Sequence, residues 1–344
     1  MIDLIQTYKD LHQIPEPSFE EFQTQKYLLN KLKKLNCDIH TLEPTGIIAF
    51  FDFNQKKTIA FRAEMDGLPI IEKTGLAYAS TNNFMHACAH DAHMSILLSF
   101  CYYINQIKAN TNIVAIFQPS EESYGGAIKV INDEYFKELN VSEIYGLHFF
   151  PKLPFKKIYT KEKLMASAME IDYIIKGKNA HLLRGGIDAI KVGREILEAI
   201  KIRKNEVFNC GVFQASGKRN IICDNASLEC TYRTYNDPNC FIKKNQQLIK
   251  KIEKCSSAKI DCFYRVIPVL KNDLNLIRNL KIELLKDTLF QAEDFAFYTQ
   301  KIPALFVLIG CGDTSSLHTD NFVLNLELLE VGLEVFKQIK NCIV

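Results

Sequence analysis

The sequence predicts an α/β fold composed of two domains. Its length of 344 residues exceeds what one compact domain usually needs. From residue 1 to about 160, stretches with helical and strand patterns alternate, which favours a sheet with helices on its faces. From about Ala166 the rhythm changes, and it changes back after Pro268. These observations predict a second domain between two parts of the first.

The first part of the chain contributes helices and strands to the larger domain. Ile5 to Leu35 has an amphipathic helical pattern that Pro15 and Pro17 interrupt. Further helices are expected from Met94 to Lys108 and from Gly126 to Leu139. Short apolar runs bounded by turn residues predict strands. The predicted strands are GIIAFFDF, TIAFRAEM, NIVAIFQP and EIYGLHFF.

The middle part has a different order of elements. Its predicted helices run from Asp188 to Ile202 and from Pro238 to Cys255. Its predicted strands are AMEIDYIIKG, VFNCGVFQAS, ASLECTYRTY and KIDCFYRVIP. The resulting order, β-α-β-β-α-β, is the split unit of a ferredoxin-like α+β domain.

After Pro268 the α/β pattern resumes. A helix is expected from Asp273 to Leu285, then the strand ALFVLIGC, then a helix from Leu326 to Ile343. We therefore expect a larger domain with a mixed, mostly parallel sheet flanked by helices, formed by residues 1–165 and 268–344. Residues 166–267 are expected to form the inserted domain.

Composition and charge are those of an ordinary globular protein. Hydrophobic residues make up 47% of the chain, charged residues 24%, and the formal net charge is +2. This balance does not favour nucleic acid or an anionic membrane as a partner. The N-terminus lacks an apolar run of signal-peptide length, and Ala304 to Cys311 is too short to span a bilayer. Eleven scattered cysteines without a CxxC pair predict reduced thiols and a cytoplasmic location.

Four short stretches carry side chains suited to metal binding, each beside a predicted strand end or helix start. MHACAHDAHM contains Cys88 and His90, FQPSEESYGG contains Glu121 and Glu122, GLHFF contains His148, and SSLHTDNF contains His318. We expect Cys88 and His90 on an extended loop, where residues two apart point the same way. Thiolate, imidazole and carboxylate together suit zinc, and also cobalt, nickel or manganese.

The number of these side chains favours two metal ions over one. Five protein ligands are too many for a single catalytic zinc that keeps an open position. They suit two metals that share a water, about 3.5–4 Å apart. Taken singly, each residue is more often a packed or surface side chain. Their joint order in one predicted domain favours a metal site.

The same stretches resemble the amidohydrolase branch of the two-metal aminoacylase and carboxypeptidase family, which includes hippurate hydrolases and hydrolases of indole-acetyl amino acids. The matching motifs run in order along nearly the whole chain: LHQIPEPSFEEF, RAEMDGLP, MHACAHDAH, FQPSEE, GLH, LMASAMEIDYIIKGKNAH, NIICDNASLECTYRT, AEDFAFY and LHTDNF. The resemblance implies a catalytic domain with an inserted lid and dimerisation domain.

Carried over residue by residue, the resemblance also implies roles in the site. The general base falls on Glu121, an aspartate that supports the metal site on Asp66, and a lid histidine that donates to the oxyanion on His181. The metal ligands fall on Cys88, His90, Glu122, His148 and His318. His86 and His93 are then orienting or structural residues, because ligating groups need partners that orient them. In relatives the lid histidine can come from the partner subunit, so a homodimer through the lid is implied.

The implied reaction is hydrolysis of an N-acyl amino acid, such as hippurate, an N-acetyl amino acid or N-acetyldiaminopimelate. Two divalent metals would assist it, with zinc or manganese foremost and cobalt or nickel as alternatives. Asn220 and Arg233 lie on the predicted lid and are candidate substrate ligands, since a guanidinium suits a carboxylate bidentately. A strand-surface ion pair is the alternative for Arg233. A dipeptidase or carboxypeptidase of the same fold and a non-catalytic metal-binding protein stay open, although Glu121 argues against the second.

The chain departs from the family pattern at a few positions. Glu64 stands where an aspartate is usual, Ala89 and Ala304 replace glycines, and Cys223 replaces a lid proline. Ala89 is expected to strain its turn if that turn needs a positive φ. None of these changes removes an expected ligand or the expected base, so an active enzyme is favoured over an inactive relative.

Overall fold

The structure, a computed structural model, describes residues 2–181 and 185–343. Its helices are α1 Leu4–His12, α2 Phe22–Leu32, α3 His90–Ile104, α4 Gly126–Asn132, α5 Glu134–Glu138, α6 Ala189–Ala199, α7 Pro238–Ser256, α8 Ala296–Thr299 and α9 Glu327–Asn341. Its strands are β1 Asp38–Thr41, β2 Ile47–Phe51, β3 Thr58–Glu64, β4 Asn112–Gln118, β5 Glu143–Phe150, β6 Ile158–Thr160, β7 Lys163–Met165, β8 Ser167–Lys176, β9 Glu206–Ala215, β10 Asn225–Thr234, β11 Lys259–Ile267, β12 Leu270–Lys271, β13 Glu283–Leu284 and β14 Ala304–Gly310.

The chain divides into two compact units. The first comprises Met1–Glu162, Lys271–Asp287 and Asp294–Val344. The second comprises Lys163–Leu270 and Thr288–Glu293. The domain boundaries expected from the sequence, at residues 166 and 267, stay a prediction.

An eight-stranded mixed sheet organises the first unit, in the order β1-β2-β4-β3-β5-β14-β6-β13. Its centre is parallel, because β3 pairs in parallel with both β4 and β5, and β14 pairs in parallel with β5. β1, β2 and β6 add antiparallel pairs towards the edges. The carboxyl ends of the central strands therefore meet at one edge, where ligands gather in sheets of this kind.

Helix α3 lies at the core of this unit. Its residues are buried on nearly every side, as expected for a helix enclosed by other elements. It contacts α1, α9 and β3. α9 turns Leu329, Phe336 and Ile339 towards the core and exposes its three glutamates. The helix that begins at His90 is thus held from several directions.

The second unit is a four-stranded antiparallel sheet in the order β11-β8-β10-β9. Strand β8 alternates buried and exposed residues, since Ile171, Tyr173 and Ile175 are buried while Ile174 is 41% exposed. α6 and α7 contact each other and contact β10, β8 and β11. The chain order is β-α-β-β-α-β, so the element order predicted for this part of the sequence is confirmed.

The predicted α/β class with a mixed, mostly parallel sheet flanked by helices is confirmed, but three predicted helices are wrong in detail. The helix expected from Met94 begins four residues earlier, at His90. The helix expected over Gly126–Leu139 breaks at Asp133, whose backbone is extended. The Asp133 side chain accepts a hydrogen bond from the backbone N–H of Phe136 at 3.0 Å and so caps the N-terminus of α5. The helix expected over Asp273–Leu285 is a short 3-10 turn followed by β13.

The failure at Asp273–Leu285 has a tertiary cause. Ile277, Leu280 and Leu284 have helical spacing, yet Arg278 adopts a φ of +50°, which a helix cannot include. β13 instead pairs with β6 in parallel. Across the described residues, none of the helices has both the length and the apolar character needed to cross a bilayer.

Candidate active site

The residues with metal-binding side chains lie at the carboxyl edge of the central sheet. Asp66 follows β3, Glu121 and Glu122 follow β4, and His148 lies near the end of β5. Cys88 and His90 lie at the start of α3, and His318 lies in the loop after β14. All of these residues belong to the first unit.

The structure brings the five expected ligands together. The Sγ atom of Cys88 is 3.4 Å from Nε2 of His148 and 3.3 Å from Nε2 of His318. Nε2 of His318 is 3.2 Å from Oε1 of Glu122. Ligand atoms lie within 4.8 Å of one another in three overlapping groups: Cys88, His90 and His148; Cys88, Glu122 and His318; and His90, Glu121 and Glu122. Groups of this composition can hold metal ions.

The turn at Ala89 lets Cys88 and His90 serve the same cluster. Ala89 has φ +63° and ψ +22° and occupies the N-cap position of α3. The expectation of an extended loop here is wrong, because the chain enters the helix at His90. The turn does need a positive φ, so the condition under which Ala89 was expected to strain it is met, at a cost to an L residue of about 1–2 kcal/mol relative to the right-handed region.

The histidine tautomers leave lone pairs facing the cluster. Nδ1 of His90 is 2.9 Å from the carbonyl oxygen of Asp66, and Nδ1 of His148 is 2.7 Å from that of Phe149. A carbonyl oxygen only accepts hydrogen bonds, so each Nδ1 carries a hydrogen, and in the neutral ring the lone pair is on Nε2. Burial would lower the pKa of His90, but its interactions with Asp66 and Glu64 outweigh burial and raise the pKa to about 10, so a cation bound at its Nε2 would displace a proton. Nε2 of His90 is buried without a hydrogen-bond partner among the described residues. Burial lowers the pKa of His148 to about 3, which keeps the ring neutral.

The raised pKa of the Cys88 thiol reflects the burial and the negative charge of the cluster. Burial, followed by the charges of Glu122 and Glu121, raises the pKa of Cys88 well above its usual range. A bound cation reverses this effect, because a coordinating thiol loses its proton. The donor set therefore suits a cation.

Asp66 fixes the loop that carries the paired glutamates. Its Oδ1 accepts from the backbone N–H of Glu121 at 3.1 Å, and its Oδ2 accepts from that of Glu122 at 2.9 Å. The Ser18 hydroxyl donates to the same Oδ2 at 2.7 Å. Burial would raise the pKa of Asp66, but the hydrogen bonds, that of His90 first, outweigh burial and lower it. Asp66 is thus a buried carboxylate beside both His90 and the glutamates.

Glu121 lies close to the cluster with its carboxylate partly buried. Its Oε2 is 4.0 Å from Nε2 of His90. Its Oε1 accepts from the backbone N–H of Asp294 at 3.4 Å. A carboxylate held beside possible metal ligands is suitably placed for proton transfer to and from a water.

A buried ionic network that the sequence did not reveal lies beside the cluster. Arg62 is 1% exposed and its guanidinium contacts the carboxylates of Glu64 and Asp294. Oε2 of Glu64 is 2.8 Å from Nδ1 of His93, so the longer side chain at position 64 reaches an orienting partner. Gln118 Nε2 donates to both oxygens of Asp294, at 3.0 and 2.7 Å. The sequence offered one signal for this network, because the motifs RAEMD and AEDF contain Arg62, Glu64 and Asp294.

A second buried network contains His12, from the motif LHQ. Its Nδ1 is 2.6 Å from Oδ2 of Asp91, and its Nε2 is 3.1 Å from Oε1 of Glu72. Burial alone would lower the pKa of His12, but the hydrogen bonds with Asp91 and Glu72 outweigh it and raise the pKa to about 10. The two ring nitrogens of His86 have no hydrogen-bond partner among the described residues, and burial lowers the pKa of His86 to about 4.

The expected lid residues lie in the second unit. His181 pairs with Ile221 in an antiparallel bridge, and its Nε2 is 3.5 Å from Nδ2 of Asn220. Arg233 donates from Nη1 to the carbonyl oxygen of Phe290 at 3.2 Å. Cys223, at the position of the usual proline, is buried and donates to two carbonyl oxygens. Two of the three predicted lid residues thus adjoin each other.

Comparison with known proteins agrees with this fold. Residues 60–340 match the Peptidase family M20/M25/M40. The chain is 32% identical over 368 residues to N-acetyldiaminopimelate deacetylase of Streptococcus pneumoniae, covering 97% of this chain and 96% of that protein.

Two solved structures are similar over nearly their full length. The Bacillus subtilis YXEP protein, described as a dinuclear metal binding peptidase from the M20 family, has a TM-score of 0.83 and 32% identity, covering 98% of this chain and 96% of that one. A candidate aminohydrolase from methicillin-resistant Staphylococcus aureus has a TM-score of 0.89 and 26% identity, covering 99% and 96%.

The chain therefore belongs to the peptidase family M20/M25/M40. Within this family it lies in the amidohydrolase branch, and it is a hydrolase that acts on amides. The resemblance drawn from the sequence motifs is confirmed.

Proposed function

We propose that this protein hydrolyses the amide bond of an N-acyl amino acid, with two divalent metal ions held by the five side chains at the sheet edge. The observation that carries the proposal is the convergence of those side chains around Glu121. The names of the similar proteins support it, since one is a deacetylase of an N-acetylated amino acid and another a dinuclear metal binding peptidase. Zinc or manganese is proposed, with cobalt or nickel as alternatives.

The proposed ligands are Cys88, His90, Glu122, His148 and His318. Support comes from the buried Nε2 of His90, which lacks a hydrogen-bond partner among the described residues. Further support comes from the Nε2 atoms of His148 and His318, which lie 3.4 and 3.3 Å from Sγ of Cys88. Bound metal ions would supply Lewis acidity towards the amide carbonyl and lower the pKa of a water. The remaining chemistry belongs to the protein's own side chains.

Glu121 is the proposed general base and general acid. Its carboxylate takes a proton from the attacking water and later gives it to the leaving nitrogen. Asp66 orients it, because the carboxylate of Asp66 accepts the backbone N–H groups of Glu121 and Glu122. His93 and Glu64, which contact each other, are proposed to orient the metal ligands without binding a metal themselves.

His181 is the proposed donor to the oxygen that becomes negatively charged in the transition state. Its contact with Asn220 supports a shared role, with Asn220 as a substrate ligand. Arg233 is the weaker assignment, because its guanidinium donates to the carbonyl of Phe290. A purely structural role for Arg233 therefore stays the alternative to binding a substrate carboxylate.

We further propose a homodimer that forms through the second unit. Strand β9 is an edge of its sheet, and Val207, Val212 and Phe213 on that strand are 38–41% exposed. Edges of this kind can pair with another chain. If His181 acts in the partner's site, mixing inactive His181→Ala and Glu121→Gln chains restores activity, since one site of a mixed dimer has both groups. No recovery after verified subunit exchange would mean that His181 acts in its own chain's site or not at all.

The acyl group is proposed to be acetyl, and the amino acid to resemble diaminopimelate. Support comes from the deacetylases that are 32% identical over nearly the whole chain. A cytoplasmic location is also proposed, for which the support is that all eleven cysteines are free thiols.

A substrate panel tests this proposal. Metal-reconstituted enzyme is assayed with N-acetyldiaminopimelate, N-acetyl amino acids, hippurate and dipeptides, and amine release is read with ninhydrin. Glu121→Gln is the control for contaminating hydrolases. Highest kcat/KM on an N-acetyl amino acid is expected. Preference for dipeptides would favour the dipeptidase alternative, and metal binding without turnover of any substrate would favour a non-catalytic protein.

A further inference from the structure

The loop that carries Glu121 is held by two buried carboxylates. The backbone N–H of Ser120 donates to Oε1 of Glu21 at 2.8 Å. The next two N–H groups, of Glu121 and Glu122, donate to the two oxygens of Asp66 at 3.1 and 2.9 Å. The orientation of three consecutive peptide groups is therefore fixed. This orientation determines where the side chains of Glu121 and Glu122 start from the backbone.

This loop has a backbone that does not adopt its shape readily. Ser120 is fully buried and has a φ of +52°, a region that L residues enter at a cost in free energy. The reversal runs from Gln118, the last residue of β4, to Gly126, the first of α4. A Cβ atom at Gly126 would lie 1.9 Å from the carbonyl oxygen of Pro119. The turn is tight and strained at Ser120. The hydrogen bond from the Ser120 N–H to Glu21, which lies outside the loop, stabilises this conformation.

Helix α2, which Glu21 precedes, does not account for the position of this side chain. Glu21 occupies the N-cap position, yet its side chain forms no capping hydrogen bond. The α2 N-terminus is instead bound by Glu16, which accepts from Gln23 N at 3.0 Å and Thr24 N at 2.9 Å. The other oxygen of Glu21 accepts from the buried hydroxyl of Thr45. Glu21 is thus directed away from its own helix and towards the loop of the base.

Burying this carboxylate has a cost. Glu21 is fully buried, and burial raises its pKa to about 7 although Thr45 and the backbone of Ser120 act in the opposite direction. An apolar residue at position 21 would avoid the free-energy cost of burying a carboxylate, because this position is fully enclosed. What an apolar residue could not supply is an acceptor for Ser120.

We propose that Glu21 is a positioning residue for catalysis, which fixes the carboxylate of Glu121 through the backbone N–H of Ser120. The proposal rests on the proposed function of Glu121 as general base. Glu21 does not touch the substrate, so its loss changes the rate of the chemical step and leaves substrate binding intact.

The kinetic test compares three variants with wild type. Glu21→Met keeps the length but removes the acceptor, and kcat is expected to fall about 10–100-fold through misplacement of the base, with KM and metal content unchanged. Glu21→Gln keeps a carbonyl acceptor and is expected to recover most of kcat. Glu16→Met is the matched control, because it removes a carboxylate of the same segment that binds only α2, and its kcat should equal that of wild type.

The structural test uses metal-free protein and does not depend on activity. Hydrogen–deuterium exchange of the peptide that contains Ser120, Glu121 and Glu122 should be faster in Glu21→Met than in wild type and in Glu16→Met. If wild type hydrolyses no amide, the proposed function fails while this measurement still decides the role of Glu21. Unchanged exchange in Glu21→Met would overturn the proposal, and so would loss of metal or a rise in KM in place of a fall in kcat.

A milder variant covers the case in which Glu21→Met does not fold. Thr45→Val removes only the hydroxyl that orients Glu21, and it should lower kcat by about 3–10-fold with KM unchanged, a smaller effect of the same misplacement. An unchanged kcat for folded Thr45→Val, with Glu21→Gln also at the wild-type rate and Glu21→Met unfolded, would assign Glu21 to folding and contradict the proposal.

Discussion

Arg62 is a buried charge that compensates two buried carboxylates near the site, and its replacement by methionine tests what breaking this ionic network costs in stability. The side chain is 1% exposed, and the carboxylates it contacts, those of Glu64 and Asp294, are each 1% exposed. Its Nε also donates to Oε1 of Gln118 at 2.9 Å. Methionine keeps an unbranched apolar stem, but it is shorter and lacks the charge and the donors.

The expected loss follows from the two carboxylates that remain. Removing one partner of a buried ion pair costs about 3–5 kcal/mol, because a charge stays buried without compensation. At roughly 2–4 °C per kcal/mol for a unit of this size, Tm should fall by about 10 °C. Since the backbone N–H of Asp294 donates to Glu121, kcat should fall as well.

The loss should also depend on pH in a defined direction. Burial raises the pKa of Asp294 to about 6, although Arg62 acts to lower it. Without Arg62 the pKa rises further, so the carboxyl group binds a proton more readily in the folded state than in the unfolded state. A group whose pKa is raised on folding contributes stability at low pH and loses it as pH rises through the folded pKa. The deficit of Arg62→Met should therefore be larger at pH 8 than at pH 5.

Urea denaturation at pH 5 and pH 8, followed by circular dichroism, measures this deficit. Lys57→Met is the matched control, because Lys57 pairs with Glu143 at 2.6 Å near the surface and Glu143 keeps Arg278 as a partner. The control should lose less than about 1 kcal/mol. An Arg62→Met protein within 1 kcal/mol of wild type, or with the same deficit at both pH values, would refute the reasoning.

Three further predictions concern catalysis and pH. Glu121→Gln should keep its metal content and lose about 10²–10⁴-fold in kcat, measured by elemental analysis and amine release. His181→Ala should lower kcat by about 10²–10³-fold, the usual loss for one oxyanion donor, with Tm unchanged. The pKa of His12 is about 10 in the fold, above its unfolded value, so its contribution to stability should decline as pH rises towards 10, by up to about 1.4 kcal/mol per pH unit. Urea titrations of His12→Gln should lack that decline.

Each of these predictions has a contrary outcome. Wild-type turnover by Glu121→Gln would assign the base elsewhere. A His181→Ala enzyme with normal kcat but raised KM would make His181 a substrate ligand. Equal pH slopes for wild type and His12→Gln would mean that His12 is not charged in the folded protein.

The sequence predicted those parts of the molecule that local pattern controls. The strands that end near Asp66, Glu121 and His148 were predicted because each is a short apolar run followed by turn residues. Parallel strands share one carboxyl edge, so the residues after them come together regardless of their separation in the chain. For the same reason the side chains of Cys88 and His318, 230 residues apart, meet in the structure.

What the sequence could not predict depends on tertiary partners. Arg62 and Asp294 are 232 residues apart, and no local sequence pattern around either residue predicts that the two form an ion pair. Glu21 sits at a helix N-terminus, so its position suggests a cap, and only the fold shows that it binds Ser120. The start of α3 was placed at Met94 because His90 to His93 are polar or small residues without an apolar pattern, and only the fold shows that they are buried in the first turn of the helix. Arg278 interrupts the helix expected over Asp273–Leu285 because it adopts a positive φ.

Diffraction at the absorption edge of a metal tests the central claim most directly. Crystals of the zinc- or manganese-loaded protein should show two anomalous peaks per chain, about 3.5–4 Å apart, with ligands from Cys88, His90, Glu122, His148 and His318 and with Glu121 beside them. One peak, or a peak at the neighbouring group of Glu64, His90 and His93, would contradict it.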